Sequence, residues 1–294
     1  MSVATRPNGK RDAVRVERPV QIAMPGFTIG PGDTVVDVGC GDGACCRYAG
    51  SLGADVIGID VEPTLVEKAD AAMLGIPARS WRGIISTCDP IPLPDATASV
   101  VICTEVLEHV ENPARMAAEL ARIGRPGARY LISVPDPASE TLMRLVAPPW
   151  YWRPPFHRRV FRHADMNAVL AEAGLTVERR DPFGAYYSFR WLLWMTLGLG
   201  PYDSGDADPL MRAWDRTWGV LMASPHAHPI SRGLDRALPK SQVVLASKPG
   251  GSRSARLRRG PLNPEVWKQR LRSGSVRFGG VELTWDVHSA RRAP

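Results

Sequence analysis

From Asp33 onward, apolar and polar positions alternate in a regular grammar. Thr34 to Val38 is a short apolar run that reads as a strand, Ala44 to Leu52 carries a helical period, Asp55 to Ile59 reads as a second strand, and Pro63 to Leu74 as a second helix. Strands and helices taking turns in this way need crossover connections, which lay the strands parallel. The pattern continues with strands near Ser80 to Ser86 and Ser99 to Thr104, a helix from about Asn112 to Ile123, an Arg125-Pro-Gly turn and a strand from Arg129 to Val134. An amphipathic helix, Ala164 to Ala173, is closed by Gly174, and strands follow at Thr176 to Arg180 and Ser241 to Ser247. The expected fold class is α/β, with a doubly wound, mostly parallel sheet.

About 60 residues between those last two strands, roughly 181–240, fit no α/β repeat and read as a helical, aromatic-rich insertion that covers an acceptor. Residues 150–194 hold eleven of the chain's 21 aromatics. Such density makes either an ordinary core between cap and sheet or an amphipathic surface that meets an apolar acceptor or a membrane, and the neighbouring Arg153, Arg158, Arg159, Arg162 and Arg190 favour the second. The expected organisation is an N-terminal arm over residues 1–32, a main domain over 33–250 and a basic tail over 251–294, whose glycine, serine and arginine content leans toward disorder.

Composition narrows the function classes. The chain has 294 residues, 44% of them hydrophobic, enough for a large core, and no repeat period. Ten basic residues against three acidic ones beyond Gly250 account for the whole formal charge of +7, so the rest of the chain is neutral. A catalytic domain with a basic footprint for nucleic acid is therefore not expected, although the tail is suited to an anionic surface such as a peripheral membrane. The N-terminus lacks a signal-peptide pattern, and the longest apolar stretch, Trp191 to Gly200, is far shorter than the roughly 20 residues that cross a bilayer. A cytoplasmic location follows as an expectation. The five cysteines show no CxxC spacing and read as reduced thiols.

The first strand, ending in Asp37-Val38, runs into Gly39-Cys40-Gly41-Asp42-Gly43 and then a helix. Glycines there permit a tight turn and a close ligand approach, and the helix start offers free N–H groups. A nicotinamide-cofactor site would place its third glycine one residue later, where Ala44 stands, so a dinucleotide oxidoreductase is disfavoured. With Asp37, Gly39, Gly41 and Gly43 in these places, the sequence resembles the class I S-adenosylmethionine (SAM) dependent methyltransferases. The resemblance covers about residues 33–180 and the strand at 241–247, and it implies a Rossmann-like seven-stranded sheet whose last strand is antiparallel. It assigns the loop of Gly39, Cys40 and Gly41 to the methionine part of SAM, and Asp37 to its ammonium. Asp60, at the end of the second strand and followed by Val61, suits the two ribose hydroxyls. Cys88 and Asp89 fall in what looks like the family's adenine-side loop, and Thr104 closes the fourth strand, facing the transferred methyl group.

That strand continues as Thr104-Glu105-Val106-Leu107-Glu108-His109. If a helix begins near Glu105, then Glu105, Glu108 and His109 share one helical face. Three roles stay open for them: acidic residues favoured by a helix N-terminus, a general base in His109 with its orienting neighbours, or a divalent metal site. The run resembles the Glu-x-x-Glu-His of quinone-biosynthesis and small-RNA 2′-O-methyltransferases, where it is associated with a divalent metal such as Mg. His157 is the expected further ligand from elsewhere in the chain, with His163 as second choice. The sequence therefore leads to a SAM-dependent methyltransferase, oxygen-directed, acting on a small-molecule, glycan or lipid-linked acceptor. The rivals are an RNA 2′-O-methyltransferase and a non-catalytic SAM-binding or membrane-associated scaffold.

Overall fold

The computed structural model describes residues 26–200, 205 and 207–250, and the backbone of 273–278 and 281–286. The arm expected over residues 1–25 and most of the basic tail lie outside the described residues, and with them the tail's expected membrane contact.

The elements follow the strand-helix alternation. They run β1 (Thr34–Val38), α1 (Ala44–Ser51), β2 (Asp55–Asp60), α2 (Pro63–Met73), β3 (Ser80–Ile85), β4 (Ala98–Thr104), α3 (Pro113–Ile123) and β5 (Gly124–Pro135). Next come α4 (Pro137–Val146), a single 3-10 turn at Pro149–Trp152, α5 (His163–Glu172) and β6 (Thr176–Phe183). Helices α6 (Ala185–Thr196), α7 (Pro209–Ala223) and α8 (Ala227–Ala237) then precede β7 (Ser241–Ser247), and β8 (Ser273–Phe278) pairs with β9 (Val281–Asp286) as a separate antiparallel hairpin. Four helices open alike: Glu62, Asn112, Asp136 and Asp208 each accept a first-turn backbone N–H, and each is followed by proline at the first helical position. The side chain satisfies an orphan donor, and the proline's fixed φ suits the turn.

Seven strands form one sheet in the order β3-β2-β1-β4-β5-β7-β6. β1 to β5 are parallel, and β7 is antiparallel to both β5 and β6. The inner strands are apolar on both faces, because helices cover both sides: Val36, Val38, Val101 and Ile132 pack into one core, Val35, Val100, Ile102 and Leu131 into the other. Strand order reverses between β1 and β4, and in an open α/β sheet the crevice beyond the strands' carboxyl ends at such a point is where ligands bind.

The aromatic region turns inward. None of the eleven aromatics in residues 150–194 is exposed: Tyr151, Phe161, Tyr186, Tyr187 and Trp194 are buried and the other six half-buried. They build two helical cores, one of Tyr186, Tyr187, Trp218 and Met222, the other of Met143, Tyr151, Trp194 and Met211. Arg190, counted with the neighbouring arginines as a surface cation, is buried and lies 3.5 Å from Asp215. The core reading therefore accounts for these rings, rather than the membrane-facing one. Among the described residues no helix is long and apolar enough to cross a membrane.

Gly43 shows how tightly the first crossover is fitted. Its φ is +84°, and a Cβ there would sit 2.9 Å from Ala69 Cβ and 3.0 Å from Ala69 Cα on α2. Backbone strain and overlap act together, so Gly43→Ala should destabilise the fold by about 2 kcal/mol or more. A urea titration with an unchanged slope and a lowered midpoint is the expected result. An unshifted midpoint would mean that α2 moves aside freely.

Candidate active site

The glycine loop is tied to β2 from both sides. Gly39 and Cys40 donate to the Ile59 carbonyl at 2.8 and 3.0 Å, and Gly41 N–H donates to Asp60 Oδ2 at 2.9 Å. Asp60 Oδ1 accepts from Glu62 N–H at 3.0 Å, and a carboxylate with about four acceptor positions keeps capacity for further donors. Gly39, Gly41 and Gly43 all have positive φ, which is why glycine recurs there. A Cβ on Gly39 would lie 2.3 Å from Val106 Cγ2, so the loop touches the turn that follows β4.

Asp37 is 2% exposed, and the Cys46 thiol donates to its Oδ2 at 3.4 Å. Burial, with the charges of Asp60 and Asp42 nearby, pushes its carboxyl up to about 7. Cys88 is buried in a left-handed conformation, and the exposed Asp89 pairs with Arg115 at 2.6 Å. Thr87, Cys88, Asp89, Asn112 and Met116 line a cleft of about 560 Å³. Val61 is exposed beyond β2, and Thr104 is half-buried where β4 ends.

The helix expected near Glu105 does not form. Glu105 has φ +57°, residues 107–109 make a turn closed by His109 N–H to the Val106 carbonyl at 2.9 Å, and the next helix waits until Pro113. The physical reason lies about 50 residues away: the Arg159 guanidinium takes the carbonyls of Leu107, Val110 and Glu111, acceptors that a helix would have used internally. Glu105, Glu108 and His109 therefore share no helical face. Glu105 turns aside to Lys240 Nζ at 2.9 Å and accepts the Ser133 hydroxyl at 2.7 Å.

Glu108, His109 and His157 do come together. One ligand-capable atom from each lies within 4.8 Å of the others, and His109 Nε2 is 3.6 Å from Glu108 Oε1. The two imidazole rings meet edge to face at 5.1 Å. Glu108 is 1% exposed and neither carboxylate oxygen has a hydrogen-bond partner, so burial, then the charge of Glu105, holds its carboxyl well above the usual range. His109 Nδ1 lies 3.1 Å from the Pro155 carbonyl, which can only accept, so Nδ1 carries the proton and Nε2 is the bare nitrogen. Burial and then His157 lower the His109 pKa. His163, the second-choice ligand, bonds instead to Asp136 at 3.1 Å and stays outside the group.

The sequence reading missed the residues that support this group. Glu140, on α4 and 1% exposed, accepts the Tyr151 hydroxyl at 2.8 Å and sits 3.1 Å from His157 Nδ1, which directs the His157 Nε2 lone pair away from it. Asp136-Pro137 was the available signal for α4 and so for Glu140. Lys240 carried none, being a lone lysine ahead of the last strand.

A partnerless buried carboxylate flanked by two imidazoles, one oriented by a second carboxylate, is a donor set suited to a divalent cation. Without an ion the same geometry leaves His109 Nε2 as a base.

A family model for the methyltransferase domain matches residues 15–179. A Mycolicibacterium smegmatis protein named as an S-adenosylmethionine-dependent methyltransferase is 30% identical over 158 residues, covering 53% of this chain and 56% of its own. A ubiquinone biosynthesis O-methyltransferase of Maricaulis maris is 28% identical over 163 residues, covering 52% and 62%. The chain thus spans less than two thirds of the length of these two relatives. In fold it is similar to a chain from the complex of the Haloferax volcanii Trm112 methyltransferase activator with a candidate methyltransferase, with a TM-score of 0.52, 18% identity and coverage of 78% and 87%.

The raised carboxyl of Asp37 makes a prediction about SAM. Below about pH 7 the unliganded protein keeps Asp37 neutral, whereas an ammonium favours the ionised form, so binding must release a proton there. Affinity should rise with pH and level off above 7, by about 20-fold between pH 5.5 and 7.5, if the bound group titrates well below that range. Calorimetry in buffers of different ionisation enthalpy would read the proton directly, and Asp37→Asn should bind weakly with a flat profile. A flat profile in the unaltered protein would remove Asp37 from the ammonium site.

Proposed function

Because the chain belongs to the methyltransferase domain family, we propose that it transfers the methyl group of SAM to a hydroxyl oxygen of a small-molecule, glycan or lipid-linked acceptor. The observation that carries this reading is the Glu108, His109 and His157 group, set on the turn whose Val106 packs against Gly39 of the glycine loop. The sulfonium is already an activated donor. Its S–CH₃ bond breaks as the O–CH₃ bond forms, the sulfur leaves as a neutral thioether, and the acceptor oxygen gives up its proton. A neutral amine attacks without ionising first, but a hydroxyl is a poor nucleophile until its proton is drawn away, and this group of residues supplies that need. The Maricaulis maris relative, by its name an O-methyltransferase, supports the oxygen direction.

Glu108, His109 and His157 would hold a divalent ion, whose Lewis acidity makes a nearby hydroxyl easier to ionise. The chain's own residues do the rest. Glu140 and the Pro155 carbonyl fix the two imidazoles with Nε2 bare, so the donor atoms are oriented before anything binds. Val106 holds the turn to the glycine loop, which keeps acceptor and methyl group within reach of one another. The neutral main domain and the inward-packed aromatics suit a compact acceptor better than a nucleic acid strand.

The test is methyl transfer from labelled SAM into a bacterial extract divided into lipid, polysaccharide, protein, RNA and small-molecule fractions, with and without a chelator. Label in lipid, glycan or small molecules that disappears with chelator and returns with a divalent ion is the expected outcome. His109→Ala should lower kcat about 100-fold or more while leaving the SAM dissociation constant within about threefold. Chelator-resistant activity that still falls in His109→Ala would leave His109 as a base and end the metal reading. Label confined to RNA would overturn the acceptor.

A further inference from the structure

The relatives' Glu-x-x-Glu-His run suggests two carboxylates at the cation site, but the structure leaves room for only one. We infer that Lys240 withholds Glu105 from the site and so determines which divalent ion the remaining donors accept. This inference rests on the metal reading above.

Lys240 is held in place by backbone bonds on both sides. Its N–H donates to the Phe183 carbonyl at 2.8 Å, and its own carbonyl accepts from Asp136 N–H at 2.9 Å and from the Ser139 hydroxyl at 3.1 Å. Its stem passes Gly184, where a Cβ would lie 3.2 Å from Lys240 Cβ. The ammonium, on a side chain 6% exposed, then meets Glu105 Oε2 at 2.9 Å, while Glu105 Oε1 accepts the Ser133 hydroxyl at 2.7 Å. For Glu105 to swing to an ion beside Glu108 it would have to leave a buried ammonium uncompensated, which the low-polarity surroundings oppose.

Charge balance points the same way. Lys240 neutralises Glu105, which leaves Glu108 and Glu140 as the two uncompensated buried carboxylates around the histidines. Two negative charges match one dication. The donors that can reach it are one carboxylate and two imidazoles, a set suited to transition-type ions, whereas Mg²⁺ favours oxygen ligands and keeps several waters. Removing Lys240 would free a second carboxylate and move the site toward hard cations.

The experiment is calorimetric titration of the chelator-stripped full chain with MgCl₂, MnCl₂ and ZnCl₂, with Mn²⁺ binding followed in parallel by electron paramagnetic resonance. Glu105→Gln, whose amide oxygen can still accept from Lys240, should leave all three affinities within about threefold, and Lys240→Arg should do the same. Lys240→Met should tighten Mg²⁺ and Mn²⁺ by tenfold or more relative to Zn²⁺, and the added Glu105→Gln change should reverse that gain. A tenfold loss of affinity in Glu105→Gln would make Glu105 a ligand and overturn the inference. So would an unchanged ion preference in folded Lys240→Met. If the unaltered chain binds none of the three ions, it is the metal reading itself that fails.

Discussion

A carboxylate taken out of water without a hydrogen bond or a counter-charge is among the costliest arrangements a protein can hold, and Glu108 is in that position. Either it keeps a proton, as its raised pKa implies for the unliganded state, or a cation must arrive to replace the water it has lost. The surrounding structure is arranged for the second outcome. Two imidazoles stand within reach, each with its far nitrogen already bonded, and a second buried carboxylate lies behind one of them. Orienting the donors in advance means that their ordering need not be opposed at the moment of binding.

The sheet makes this arrangement possible. β4 ends at Thr104 against Ser133 of β5, and the Glu105 amide donates to the Ser133 carbonyl at 2.9 Å, so the chain leaves the sheet at a fixed point. β7 enters antiparallel to β5 with Pro135 opposite Ser241, which brings Lys240 to the same edge as Glu105. A parallel β7 would begin at the opposite edge and carry its leading lysine away from the site. α4 begins directly after β5 and supplies Glu140, while the segment from Tyr151 to Arg159 crosses back over the turn. That crossing segment holds both His157 and the arginine that keeps residues 107–111 from becoming helix.

How much of this could be read in the chain depended on range. The glycine loop was legible because its demands are local: positive φ, close approach, and an acid at each strand end all lie within a few residues. The strands were legible because burial on both faces leaves unbroken apolar runs, and the sequence reading placed each of the seven sheet strands to within a few residues of its ends. Helix α4 was missed although Asp136-Pro137 announces it as plainly as the three other capped prolines do. The grouping of Glu105 with Glu108 and His109 misled for a different reason. Spacing by three and four has meaning only on a helix, and that helix is pre-empted by Arg159, whose role no local pattern reveals. The Lys240 to Glu105 pair spans 135 residues, and only the antiparallel strand brings them together.

Burial also fixes the side from which an acceptor must come. The His109 side chain is 34% exposed, against 1% for Glu108 and 10% for His157. Behind His157 stand Tyr151, 4.3 Å from its ring, then Trp191 and Trp194, so approach from that direction is closed by packed aromatics. The open direction lies past His109. That face is also the one on which Val106 joins the turn to Gly39, so donor and acceptor meet across a single short loop. The aromatic density that sequence alone attributes to a surface seeking an apolar partner has an interior task instead. It forms a rigid wall behind His157, and the narrow opening it leaves puts the least buried of the three donors nearest to the incoming hydroxyl.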